Sequence, residues 1–166
     1  MTYTLAEINA LDRGEFVRIV GPMFEHSPWI AERAAGGRPF ADVAALHAGL
    51  CAVVQRATPG EQLSLIRAHP DLVGRAVLTA ESQGEQAAAG LLDLTPDEVA
   101  VFDRSNREYQ VRFEVPFVIC ARLNKKEAIL AAFPVRLANS IEAERATALA
   151  EIEKIAQLRL ADLIRP

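Results

Sequence analysis

Apolar positions along this chain recur mostly at steps of three, four and seven, the period of a helix buried on one side. Within residues 42–57, Val43, Leu46, Leu50, Val53 and Val54 follow that rule. Toward the C-terminus Ile141, Ala148, Ile152, Ile155 and Leu158 form a second stripe, with Glu142, Glu144, Arg145, Glu151, Glu153 and Lys154 largely off it. That stripe predicts one long helix over residues 135–163. Start signals punctuate the rest. Thr4 with Glu7 is a capping box, and Asp12 with Glu15 has the same spacing. Ser27-Pro28 and Thr58-Pro59 place Pro just after a capping residue, where its missing N–H costs nothing. Thr95-Pro96-Asp97-Glu98 combines both signals, and Asn124 with Glu127 opens another helix. Gly36-Gly37 and Pro59-Gly60 mark the clearest loops. Only Val115-Pro116-Phe117-Val118-Ile119-Cys120-Ala121 has strand character. One strand makes no sheet, so a buried extended segment is expected there. The chain therefore reads as all-α: a single compact domain over residues 1–166, with about seven or eight helices and a long C-terminal one.

Composition narrows the chemistry. The 166 residues suit one domain with a sizeable core. Lys and Arg number 18 against 22 Asp and Glu, a net charge of -4, which argues against a nucleic-acid surface. Cys51 and Cys120 lie far apart in apolar stretches and cannot build a disulfide framework or a zinc site, so a cytosolic (cytoplasmic) location is expected. No apolar run reaches the length of a membrane span, so no membrane partner is expected. Early acids (Glu7, Asp12, Glu15) are unlike a signal peptide. The ending Leu163-Ile164-Arg165-Pro166 is not a peroxisomal Ser-Lys-Leu. No phosphate loop, dinucleotide fingerprint, nucleophile elbow or metal-ligand spacing is present, so neither metal nor cofactor is expected.

Imidazole chemistry must come from three histidines, His26, His47 and His69. His69 precedes Pro70, which pushes it out of helical conformation, so the preceding helix should end near it. A histidine at a helix C-terminus favours its cationic form, which suits a proton donor. Position alone favours the plainer reading, a surface capping histidine. Ser82, Glu85 and Gln86 stand at i, i+3 and i+4, so a helix presents hydroxyl, carboxylate and amide on one face. An ordinary solvated face explains the same spacing. Arg159 near the end of the last helix offers a fork for a carboxylate, or simply complements the helix terminus. Glu114 and Arg112 flank the apolar segment and should face solvent. His26 and His47 read as structural or surface residues.

Several segments taken in order resemble one family. They are His69-Pro70-Asp71-Leu72 with Gly74, then Leu78-Thr79-Ala80-Glu81-Ser82, Glu85-Gln86 and Ala89-Gly90-Leu91. Ser27-Pro28-Trp29-Ile30-Ala31-Glu32 and Arg38-Pro39-Phe40 precede them. Asn106, Tyr109, Phe113, Pro116 and Phe117-Val118-Ile119, then Arg136, Asn139-Ser140, Glu144 and Arg159-Leu160, follow. Together they resemble OHCU decarboxylase, which acts on 2-oxo-4-hydroxy-4-carboxy-5-ureidoimidazoline in urate catabolism. The resemblance implies an all-helical, cofactor-free homodimer that takes an anionic small molecule and yields (S)-allantoin. It implies that His69 and Glu85 are catalytic. It further implies that Pro70, Ser82, Gln86 and Arg159 bind substrate, and that Phe117, Val118, Ile119, Cys120 and Ala121 offer backbone groups to it.

Two departures accompany the likeness. Arg75-Ala76-Val77 leads to Leu78 with about one helical turn fewer residues than the family commonly has there. Glu114 and Val115 stand where the family often has Gly and an aromatic. Two other readings follow. A related enzyme on another ureido or imidazole compound is suggested by the shorter His69 to Glu85 spacing. A non-catalytic helical interaction module predicts that the Ser82, Glu85, Gln86 face is solvated and unconnected to His69.

Overall fold

A computed structural model describes residues 1–74 and 78–165. Arg75, Ala76 and Val77, where the shortened spacing falls, and Pro166 lie outside the described residues. Among the described residues nine α-helices run in order: α1 (Leu5–Ala10), α2 (Arg13–Val20), α3 (Trp29–Ala34), α4 (Val43–Arg56), α5 (Pro59–Arg67), α6 (Ala80–Ala88), α7 (Pro96–Phe113), α8 (Lys126–Leu137) and α9 (Ile141–Leu163). Among the described residues the only β pairing is a bridge between Tyr3 and Ile164, so the all-α expectation holds.

The start signals work as local chemistry dictates. Thr4, Thr58 and Thr95 each close a full capping box, and Asp12 accepts from Glu15 N–H. Four expectations need correction. Pro59-Gly60 is the first turn of α5 rather than a loop, because Thr58 caps it. The helix expected over residues 135–163 is two. Ser140 Oγ accepts from Ala143 N–H at 3.1 Å, starting α9 afresh after α8 has ended at Leu137. Asn124 does not cap α8, because its amide donates to the Cys120 carbonyl at 3.0 Å and Lys125 holds the cap position. Ser27 does not cap α3 either; its hydroxyl donates to the Glu25 carbonyl at 2.9 Å.

The contacts divide the chain into two units. One comprises Met1–Ala68 and Glu153–Pro166. Its core includes Phe16, Phe24, Ile30, Leu46, Leu50 and Leu160, all essentially buried. The other, His69–Ile152, is built around aromatic rings. Phe117 stacks on Phe133 at 3.9 Å between centroids and meets Tyr109 edge-on at 5.1 Å. Residues 115–121 are buried throughout and form no ladder, as expected. Glu114, the cap of α7, sits at φ +57, the left-handed conformation that favours Gly.

Candidate active site

His69 follows α5 and its cap residue Ala68, so the helix ends where Pro70 requires. The imidazole is only 8% exposed, which rules out the surface capping reading. His26 by contrast is exposed, with its Nε2 4.0 Å from Glu25 Oε1. His47 bonds through Nε2 to the Glu153 carbonyl at 2.8 Å, a structural role as expected.

Thr79 caps α6 by accepting from Ser82 N–H at 3.2 Å. Ala89, Gly90 and Leu91 close it. Gly90 at φ +80 donates to the Ala87 carbonyl, and Leu91 donates to that of Gln86, both at 3.0 Å. Between these caps Ser82 and Gln86 are buried, at 5% and 4% exposure, and Glu85 is half-buried. Gln86 reaches the loop that follows His69. Its Oε1 accepts from Val73 N–H at 3.1 Å and its Nε2 donates to the Asp71 carbonyl at 3.4 Å. Ser82 and Gln86 on this face are therefore not solvated, and Gln86 ties the face to the loop 71–73 that follows His69.

The third component is the segment 117–121. The end of α6 packs against the 3-10 turn Ala121–Leu123 that completes it. The Cys120 thiol is pushed up, first by burial and then by the Glu151 and Glu85 carboxylates. Two side chains hold the segment's backbone. Glu151 Oε2 accepts from Cys120 N–H at 2.8 Å. Arg136 Nη1 donates to the Val118 carbonyl, and its guanidinium lies 4.3 Å over the Phe117 ring. Arg136 pairs with Glu144 at 2.5 Å, and Glu144 also accepts from the Tyr109 hydroxyl at 2.5 Å. Burial, then the bond to Glu144, pushes the Tyr109 pKa up and keeps the phenol a donor. Cys120's carbonyl accepts from Asn124 Nδ2 and Leu123 N–H, so both of its backbone groups are committed within the protein.

Arg159 belongs to the other unit. It is 5% exposed, donating to Glu25 Oε2 and to the Pro22 carbonyl, each at 3.0 Å. Complementing a helix terminus does not describe this arginine; it is half of a buried ion pair. Glu25 and Gln110 escaped the sequence reading, while Glu151 entered it only as a residue off the hydrophobic stripe and Asn106 only as part of the family resemblance. Asn106 and Gln110 stand at i, i+4 on α7, the same spacing that drew attention to Ser82 and Gln86 on α6.

A cavity of about 440 Å³ at the C-terminal end of α6 is lined by residues including Ala88, Gly90, Asp93, Lys125 and Lys126. None of the residues expected to do chemistry lines it. Its cations have partners: Lys125 Nζ donates to the Ala88 carbonyl at 2.9 Å, and Lys126 pairs with Glu98 at 2.6 Å. Among the described residues no three His, Cys, Asp or Glu side chains group as metal ligands, and no helix is long and apolar enough to cross a membrane.

The family model for OHCU decarboxylase matches residues 9–161. The chain belongs to the OHCU decarboxylase family. It is 43% identical over 159 residues to the 2-oxo-4-hydroxy-4-carboxy-5-ureidoimidazoline decarboxylase of Haloferax volcanii, covering 96% of this chain and 95% of that protein. The protein of the same description from Amia calva is 42% identical over 165 residues, covering 97% and 94%. A crystal structure of (S)-allantoin synthase matches with a TM-score of 0.81 at 26% identity, over 98% of this chain and 54% of that one. This OHCU decarboxylase family member thus spans about half the length of that solved chain.

Proposed function

We propose that this chain decarboxylates 2-oxo-4-hydroxy-4-carboxy-5-ureidoimidazoline to (S)-allantoin in urate degradation. The observation that carries the proposal is the pair of bonds from Gln86 to Asp71 and Val73. They tie the polar face of α6 to the loop directly after the buried His69. Family membership supplies the substrate.

In the proposed mechanism the bond between ring carbon and carboxylate breaks and CO₂ leaves. The electron pair passes into the neighbouring C=N, whose nitrogen takes up a proton, so the substrate is its own electron sink. The hydroxyl on the carbon that lost CO₂ becomes a carbonyl, and a proton is delivered to the carbon bearing the ureido group. His69 is the general acid/base and protonates one face. Glu85 engages the hydroxyl or ring N–H, and Ser82 and Gln86 fix the ring beside Pro70. Arg159 orients the anion. Backbone N–H groups of 117–121 stabilise the developing oxyanion. With the Cys120 N–H given to Glu151, that role falls on Phe117, Val118, Ile119 and Ala121. The reading also carries a homodimer, checked by light scattering on the purified protein. Two free, buried thiols fit its cytoplasmic location.

The test is direct assay with freshly generated substrate, following the circular dichroism of allantoin. The expected result is acceleration with one enantiomer in excess. General acid/base help is worth about 10²–10⁴-fold, so His69→Asn is expected to lose that much in kcat while keeping its unfolding midpoint. No acceleration by the parent overturns the function, and near-parental turnover in His69→Asn overturns the role of His69.

A further inference from the structure

Three side-chain amides from α6 and α7 close on the short loop after His69. Gln86 spans Asp71 and Val73. Gln110 Nε2 donates to both Asp71 carboxylate oxygens, at 3.0 and 3.1 Å. Asn106 Nδ2 donates to the Leu72 carbonyl at 2.8 Å. This loop needs holding. Val73 sits at φ +58, a left-handed conformation that a β-branched residue keeps only when its surroundings impose it. Asn106 adds a second cost. It is 7% exposed and, among the described residues, its Oδ1 has no hydrogen-bond partner. A buried amide with one end unanswered is a poor choice for stability alone. What the asparagine supplies is one fixed donor aimed at Leu72.

We propose that Asn106 is a positioning residue for His69. By fixing the Leu72 carbonyl, between the bonds from Gln86 and Gln110, it holds the strained turn 71–73. Pro70 has its φ locked by its ring, so the turn in turn sets where His69 stands. The inference rests on the reading of His69 as the general acid/base, and Asn106 acts through that residue without touching substrate.

Asn106→Leu removes the donor and keeps the bulk. A displacement of about 1 Å at a catalytic group costs about 10²-fold, so kcat is expected to fall by that order while KM stays near the parental value. The chain has three histidines, which makes imidazole NMR a direct second readout. The His69 resonance, assigned by its loss in His69→Asn, shifts or broadens in Asn106→Leu, and those of His26 and His47 stay in place. Val73→Gly, for which a positive φ is unstrained, restores part of the lost kcat when added to Asn106→Leu. Parental kcat in Asn106→Leu overturns the proposal, as does a loss confined to KM with the His69 resonance unmoved. If Asn106→Leu does not fold, Asn106→Asp sets an acceptor against the Leu72 carbonyl and carries the same expectations and the same refutation. If the parent fails to turn over the substrate, the decarboxylase reading falls, and the NMR comparison still decides the positioning claim.

Discussion

Truncating Glu144 to alanine tests the framework beneath the 117–121 segment. Glu144 is 1% exposed, and its carboxylate accepts from Arg136, from the Tyr109 hydroxyl and, at 2.9 Å, from Asn139 Nδ2. Arg136 is itself buried, donates to the Val118 carbonyl and covers the Phe117 ring. One carboxylate therefore closes a network that reaches the proposed ligand-binding backbone. Removing it leaves a guanidinium buried without its counter-ion and strands two neutral donors. Breaking a buried pair from one side costs about 3–5 kcal/mol. Total stability for a domain is about 5–15 kcal/mol, so a large share is at stake. At about 2–4 °C per kcal/mol for this size, the unfolding midpoint should drop by roughly 6–20 °C. Urea unfolding followed by circular dichroism measures the loss, with an unchanged slope showing that only stability moved. The double variant Arg136→Met with Glu144→Leu leaves no charge behind and should cost much less than Glu144→Ala. Two results refute the reasoning. One is a loss under about 1 kcal/mol, the behaviour of an exposed pair. The other is a double variant that costs the sum of its singles.

Three further outcomes are expected. Burial raises the Asp71 pKa above its ordinary 3.8, against a smaller lowering from the Gln110 bond, so the native state holds this proton more tightly than the unfolded chain does. The stabilisation is present below 3.8 and lost as pH rises through the raised value, so Asp71→Asn should match the parent in acid and unfold at higher temperature near neutrality; a lower midpoint near neutrality counts against it. Burial, with Glu153 adding, pushes the Cys51 thiol up to about 12, and Cys120 is also raised, so a disulfide reagent at pH about 8 should titrate neither in the native protein and both after denaturation; a fast native thiol contradicts this. Glu114→Gly relieves a left-handed residue and should raise stability by about 1 kcal/mol, read as a higher urea midpoint; a fall sinks the strain argument.

What was legible in the chain was what local chemistry decides. Thr4, Asp12, Thr58 and Thr95 cap helices because an oxygen at that position meets N–H groups two or three residues on, whatever else the fold does. Asn124 and Ser27 carry the same signal and fail, because the Cys120 and Glu25 carbonyls offered their side chains nearer acceptors. The break between α8 and α9 was hidden by a hydrophobic stripe that runs on across it. Its cause is the Ser140 cap, with Asn139 drawn to Glu144. For the site, Pro70 made the helix end before His69 readable, and the i, i+3, i+4 spacing placed Ser82, Glu85 and Gln86 together. Neither pattern said that Gln86 would face the loop of His69, or that Asn106 and Gln110 would join it from α7. Those are tertiary contacts across 13 to 39 residues, and no local period encodes them.

Arg159 shows most sharply how a contact changes a reading. The sequence alone reads it as a complement to the helix terminus or as a fork for a carboxylate. In the fold its charge already faces Glu25, and its second amino group is tied to the Pro22 carbonyl. A paired arginine offers an incoming carboxylate geometry more than net charge, since the fork fixes where its donors point. Arg159→Lys separates the two. Lysine keeps the charge and loses the fork, so one ammonium cannot reproduce two bonds made from different nitrogens. A hydrogen bond to a charged group is worth about 1.5–3 kcal/mol. The unfolding free energy should fall by about that amount, from the lost bond to Glu25 or Pro22. If Arg159 also orients the substrate anion, as proposed, KM should rise roughly ten- to a hundredfold, the same energy read as affinity. The two readouts separate the roles. A lower midpoint with parental KM leaves Arg159 a structural ion pair and removes it from the mechanism. Parental values of both show that charge alone suffices and that the fork geometry is unimportant.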